Sequence, residues 1–200
     1  LGIKVLPPDV NISNGGFTAD NDKIRFGLNA VKNVGRNLIE RVVEERKEKP
    51  YSSLYDFCKR MHGTELNRRA VECLIKAGAF DSMGVNRHSL VEAVDGIIKS
   101  VESDSRRNLE GQLDLFSVMS GESQTSDTDS YEIKPFPEYS HTELLQQEKE
   151  VSGLYLSGHP LDAYREQSAR FASNSIKELT GEDAHKLDGY HVRIVCTIGK

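Results

Sequence analysis

The sequence predicts a mainly α protein. It reads as a helical bundle of two successive helical hairpins, then a flexible linker, short helices and the first strand of a β domain. Three observations carry this. Apolar residues recur at helical spacing between 28 and 100, broken twice by turn residues. Residues 103–130 are mostly Ser, Asp, Glu, Gln, Gly and Thr, and bury too little to offset the entropy of ordering them. The run Val192-Arg193-Ile194-Val195-Cys196-Thr197-Ile198 reads as a β-strand with nothing beside it to pair with. A chain of 200 residues with 37% apolar content holds one moderate domain plus tails.

Residues 1–26 are expected as an extended entry followed by a short hairpin. Its strands are Phe17 to Asp20 and Lys23 to Phe26, turning at Asn21-Asp22. The first helical hairpin follows. Leu28-Asn29-Ala30-Val31 is apolar-x-x-apolar, Lys32 to Gly35 turn the chain, and Leu38, Ile39, Val42 and Val43 mark a second helix. This matches the helix-hairpin-helix pattern apolar-x-x-apolar-x-Gly-apolar-Gly, with Asn33 in place of the first Gly. Asn tolerates positive φ better than other side-chain-bearing residues, so the turn survives the exchange. Ser53 and Asp56 start a short helix from Leu54 to Met61 in the manner of a capping box. Asn67 caps a helix from Arg68 to Ala77, and Gly78 ends it in the left-handed conformation. Ala79 to Gly84 turn, and Asn86 caps a helix with Leu90, Val91, Val94, Ile97 and Ile98 inward. The two hairpins make the helix-hairpin-helix arrangement tandem. A capping box at Ser140 and Glu143 opens a helix through Val151, and Tyr155 to Arg170 is a turn plus a short helix. The resulting domains are 1–100 (helix-hairpin-helix), 101–137 (linker), 138–189 (helical connector) and 190–200 (first strand of the next domain).

The first turn is a candidate anion site. Backbone N–H groups in the turn and at the start of the second helix lack intrahelical partners and share the positive end of the helix dipole. A phosphate oxygen fits there. Lys32, Asn33, Val34, Gly35, Arg36 and Asn37 are the candidate DNA-binding residues. Gly35 allows close approach of the phosphate, Val34 tucks under the hairpin, and Lys32 and Arg36 supply charge. The plain alternative is a helical hairpin that only packs on a core. Charge is uneven: residues 1–99 hold 16 Lys/Arg and 13 Asp/Glu, net +3, and residues 100–200 hold 10 and 18, net −8, summing to −5. A net-acidic chain is no general nucleic-acid binder, so any DNA contact belongs to the basic first half. Lys23, Arg25, Lys32, Arg36, Arg41, Arg46 and Lys47 surround the hairpin, although Arg41 is placed to pair with Glu44 or Glu45.

A second candidate is Gln112-Leu113-Asp114-Leu115-Phe116, three large apolar groups inside the polar tract. Such plugs on a tether suit a partner's pocket, with Gln112 setting register; equally, they suit pinning of the linker to its own domain. Nothing catalytic is visible. Asp127 and Asp129 have a suggestive spacing but lie in the acidic tract, and no phosphate loop, nucleophile elbow or Cys-His set appears. Cys58, Cys73 and Cys196 have no C-x-x-C spacing and suit buried thiols in a reduced, cytoplasmic protein. No metal spacing occurs among the histidines, and His159 before Pro160 reads as structural. No apolar run reaches membrane length, so no membrane partner is expected. Asn11-Ile12-Ser13 matches a glycosylation acceptor that a cytoplasmic chain does not use.

Four stretches together resemble the alpha subunit of bacterial DNA polymerase III, the C-family of replicative polymerases. They are Val5 to Asn11 (V-L-P-P-D-V-N), Ile24 to Gly35 (I-R-F-G-L-N-A-V-K-N-V-G), Asn67 to Asp81 (N-R-R-A-V-E-C-L-I-K-A-G-A-F-D) and Ser152 to Leu161 (S-G-L-Y-L-S-G-H-P-L). The resemblance is weakest over 101–137 and 165–190. It implies a segment following the palm and fingers, with a helix-hairpin-helix element that touches duplex DNA. Next come a clamp-binding peptide at the place of Gln112 to Phe116 and then an OB domain, to which the strand from 190 would belong. It implies double-stranded DNA, the sliding clamp (beta subunit) and other replisome subunits as partners. The catalytic aspartates and their Mg²⁺ would sit in the parent's palm, with no cofactor in this segment. Two other classes stay open. A repair enzyme sharing only the hairpin would show an Asp or Lys in a base pocket shortly after it. A scaffold binding protein alone would be indifferent to DNA and salt.

Overall fold

A computed structural model describes residues 3–109, 131–181 and 184–195. The chain divides into two compact units, Leu1–Ser157 and Gly158–Lys200.

The first unit is mainly helical with a three-stranded sheet at its start. Strands β1 (Lys4–Leu6), β2 (Thr18–Asp20) and β3 (Lys23–Arg25) lie in the order β1-β3-β2. The expected hairpin is present, and Asn21 takes φ 53° in its turn. β1 pairs with β3 in parallel, Val5 opposite Ile24, so the entry is a strand of the sheet. The first helix of the hairpin motif is shorter than the sequence implied. It is a single 3-10 turn, Leu28–Ala30, leading to α1 (Arg36–Glu45). Leu38, Ile39 and Val42 on one face of α1 are buried.

The remaining helices start where their caps place them. Ser53 Oγ accepts from Asp56 N at 3.1 Å to open α2 (Leu54–Arg60). The Asp56 carboxylate reaches back to Ser52 N, one residue short of a true capping box. Asn67 Oδ1 accepts from Ala70 N at 2.9 Å to open α3 (Arg68–Lys76). Gly78 then takes φ +84°, as expected of a residue ending a helix in the left-handed region. Asn86 Oδ1 accepts from Ser89 N at 2.8 Å at the start of α4 (Arg87–Leu109). A full capping box of Ser140 and Glu143 opens α5 (His141–Ser152).

The core lies between α1, α2, α3 and α4. Phe57 is its centre, edge-on to Tyr51 at 5.0 Å and to Phe80 at 5.1 Å. Burial pushes the Cys58 thiol up to about 12, leaving an inert, hydrophobe-like group.

Two boundaries differ from expectation. α4 continues nine residues past 100, because Val101 is buried and Tyr55 Oη donates to Asp104 at 2.7 Å. On its return the chain is docked from Tyr131, which stacks on Tyr55, and Ile133 packs against the core. Residues 101–109 and 131–137 are therefore structured parts of the first unit. So is α5, which the sequence grouped with the later connector.

The second unit contains a 3-10 turn, Asp162–Tyr164, then α6 (Arg165–Phe171), α7 (Ile176–Thr180) and a 3-10 turn, Ala184–Leu187. The expected strand from 190 does not form over its described part: residues 190–195 carry no strand pairing. An isolated strand has no partner for its backbone, and nothing among the described residues marks an OB-like domain. No described helix is long and apolar enough to cross a membrane.

Candidate nucleic-acid interface

The hairpin turn brings Lys32, Asn33, Val34, Gly35, Arg36 and Asn37 together at the N-terminus of α1. The left-handed residue is Asn33, with φ 61°. Its side chain donates to Cys73 Sγ at 3.3 Å and ties the turn to α3. Val34 packs against the core, as expected. Gly35 is the N-cap of α1, with φ −71° and ψ 145°, an extended conformation open to any residue. Its backbone angles therefore do not by themselves require a glycine.

The N-terminus of α1 has no side-chain cap, whereas α2, α3, α4, α5 and α7 each begin on a Ser or Asn side chain. The N-cap residue Gly35 and the first-turn residues Arg36 and Asn37 are exposed, and Arg36 has no ion-pair partner among the described residues. One acidic group stands at this mouth. Asn37 Nδ2 donates to Glu65 Oε1 at 3.0 Å, and a Cβ on Gly35 would lie 3.0 Å from Glu65 Oε2. Glu65 is 28 positions from Asn37, and no local spacing signals it.

Most of the expected basic cluster is otherwise engaged. Lys32 Nζ donates to the Glu150 carbonyl at 2.7 Å, and Lys32 N donates to Val151 O at 2.8 Å. The turn thus caps the C-terminus of α5, where a cation is favourable. Arg46 donates to the carbonyls of Val10, Ile12 and Ser13 and to Asn14 Oδ1, and burial works to lower its pKa. Arg25 pairs with Asp20, Lys47 with Glu44, and Arg41 with Glu45 as the sequence indicated.

The second hairpin, α3 to α4, has no comparable mouth. Glu138 accepts from Arg87 N at 2.9 Å and His88 N at 3.1 Å, filling the N-terminus of α4 with a carboxylate. Burial works to raise the Glu138 pKa, but these N–H donors and that of Tyr139 outweigh it and hold the carboxyl below its usual range. Its turn is occupied from within. Arg87, 5% exposed, bonds Asp81 Oδ2 at 2.7 Å, Glu148 Oε1 at 3.0 Å and the Lys76 carbonyl at 3.2 Å. A Cβ on Gly78 would strike the Arg87 and Asp81 side chains. Burial works to lower the Arg87 pKa, and the two carboxylates more than offset it, leaving it raised. This turn is a buried ion cluster, so the tandem motif expected from sequence is a single open mouth plus a filled hairpin.

Gln112, Leu113, Asp114, Leu115 and Phe116 lie outside the described residues, as do Asp127 and Asp129. Among the described residues, no group of three His, Cys, Asp or Glu side chains is arranged to hold a metal ion.

Residues 2–90 match the family described as helix-hairpin-helix motif. The chain is 40% identical over 177 residues to DNA polymerase III subunit alpha of Borreliella burgdorferi, a match covering 88% of this chain and 15% of that protein. It is 41% identical over 185 residues to the protein of that name from Xylella fastidiosa, with 92% and 15% covered. Against the Escherichia coli K12 protein of that name the identity is 35% over 173 residues, with 86% and 15% covered. The chain spans about 15% of the length of these relatives.

Proposed function

Since the chain belongs to the family of the DNA polymerase III alpha subunit, as one segment of it, we propose that this segment holds duplex DNA during chromosomal replication. Contact is through backbone phosphates and without sequence preference. The observation that carries the reading is the uncapped N-terminus of α1, reached through the Asn33 turn, inside the helix-hairpin-helix match. Phosphate oxygens accept from the first-turn N–H groups, and Arg36 supplies the charge. Lys32 stays with α5 and supports the turn from behind.

The rest of the reading extends the sequence resemblance. The parent chain is a DNA-directed DNA polymerase whose palm carboxylates and Mg²⁺ lie outside this segment, and it works in the cytoplasm with other replisome subunits. Gln112 to Phe116 engage the sliding clamp: Leu115 and Phe116 enter an apolar pocket, Leu113 packs at its rim, and Gln112 fixes register. The polymerase then has two linked holds, one on DNA and one on the ring around it.

The test of the DNA contact is fluorescence anisotropy with a labelled random-sequence duplex across a salt series. About 2–4 phosphate contacts give a logarithmic salt slope of about −2 to −4, and Arg36→Ala removes about one unit. A slope near zero for the intact chain overturns the reading in favour of a protein-only scaffold.

A further inference from the structure

A carboxylate stands beside the mouth of α1. Glu65 lies in the loop between α2 and α3 and is exposed, yet its two carboxylate oxygens are both placed on the hairpin. Oε1 accepts from the Asn37 amide at 3.0 Å, and Oε2 lies 3.0 Å from where a Gly35 Cβ would stand. Asn37 and Gly35 are two of the residues assigned above to phosphate. A helix N-terminus favours one negative group, and two anions in contact repel each other. No other carboxylate of the first unit contacts these residues among the described contacts.

We propose that Glu65 is a built-in competitor for the DNA phosphate. Its carboxylate sits on the Asn37 side chain beside the α1 N-terminus when DNA is absent and gives way to a phosphodiester when duplex arrives. This rests on the phosphate reading of the hairpin. The exchange is physically easy in one direction and useful in the other. Glu65 is on the surface and its side chain rotates away without opening the core. When DNA leaves, the carboxylate returns to Asn37, beside the first turn of α1. Each phosphate contact is therefore weakened by the anion it displaces. A protein that must advance along DNA holds it loosely at this point, and firm retention has to come from elsewhere. Gly35 gains a second reason to lack a side chain, because one small mouth must admit either anion.

The test compares the full 200-residue chain with Glu65→Gln and Glu40→Gln, using duplex anisotropy and thermal unfolding. Glu65→Gln removes the charge and keeps an oxygen for Asn37. It should tighten duplex binding about three- to tenfold, on the scale of one charge at a helix N-terminus. Its Tm should fall slightly at the same time, since α1 loses its anion. Glu40→Gln alters an exposed carboxylate one turn further along α1 and reports the general field alone, with less than a twofold effect. Equal tightening in both variants, or none in Glu65→Gln, overturns the competitor role while leaving the DNA contact standing. No salt-dependent duplex binding by the unaltered chain or by Glu65→Gln overturns the phosphate reading, and the competitor with it.

Discussion

Glu148 fastens α5 to the rest of the first unit, and its removal should be the most costly single change outside the apolar core. It is fully buried. One oxygen accepts from Arg87 Nη1 at 3.0 Å, and the other accepts from Leu156 N at 2.8 Å and Ser157 N at 2.9 Å. Breaking a buried ion pair by truncating one partner costs about 3–5 kcal/mol. Here Arg87 keeps Asp81 at 2.7 Å, so about half of that, ~2 kcal/mol, is expected from the lost pair. The two stranded N–H groups add about 1 kcal/mol each, the low end for donors that reach water once the 154–157 loop lifts. Glu148→Ala should therefore lose about 4 kcal/mol, a fall in Tm of about 8–16 °C for a chain of this size. Glu148→Gln should lose about 2 kcal/mol, because its amide NH₂ must face another donor. Urea titration followed by far-UV circular dichroism gives the free energies. Hydrogen exchange adds a local readout: the Lys32 amide, which donates to Val151 at the end of α5, should lose protection in both variants. A Glu148→Ala variant within 1 kcal/mol of the parent would refute the reasoning and make the cluster a bystander.

Gly35→Ala should leave stability within about 0.5 kcal/mol of the parent, because φ is −71° and the unfolded chain loses freedom in compensation. It should nonetheless weaken duplex binding in the anisotropy assay, and an unchanged affinity would remove Gly35 from the interface. The Glu138 carboxyl has a lowered pKa in the folded chain. Its contribution is therefore present above about pH 4.3, the unfolded value, and is lost as pH falls through the lower folded one. Protection of the Arg87 and His88 amides should fall selectively as pH drops below about 4.3, and a pH-independent protection factor would contradict it. Replacing Leu115 and Phe116 together with Ala should abolish binding to a purified sliding clamp, expected near micromolar, about −8 kcal/mol, in the unaltered chain. The same double variant should keep the melting profile and DNA affinity, and a melted helical unit would instead make the pentapeptide a staple of its own domain.

What the sequence revealed was local. Ser53, Asn67, Asn86 and Ser140 each announced a helix start, because a cap acts on an N–H three residues away. Gly78 announced a helix end for the same reason, and Asn21-Asp22 announced the β turn. What stayed hidden was reached by long loops. Arg87 and Glu148 are 61 positions apart, Asn37 and Glu65 are 28, and β1 joins β3 across an intervening strand. Composition misled at 101–109, where polar residues continue a helix because Val101 and Asp104 still find partners on α2 and its surroundings. The hairpin turn before α1 was legible. The Glu65 carboxylate beside it and the engagement of Lys32 were not, since both involve segments with no pattern in common with it.

The chain departs from the first unit at Leu109 and is back against it at Tyr131. Leu109 and Tyr131 both belong to the first unit, so residues 110–130 join that unit to itself. Phe116 is seven residues from the end of α4, so its leash is about 25 Å at full extension. A ligand confined to a sphere of that radius is present at an effective concentration on the order of 10 mM. Any partner caught at Gln112 to Phe116 is thereby kept within a DNA diameter or so of α4, in the unit that carries the hairpin. On the proposed reading, a hold of micromolar strength at this peptide would be almost always occupied once the hairpin is seated, and inserting residues between 109 and 116, more than weakening the peptide, would let the partner drift.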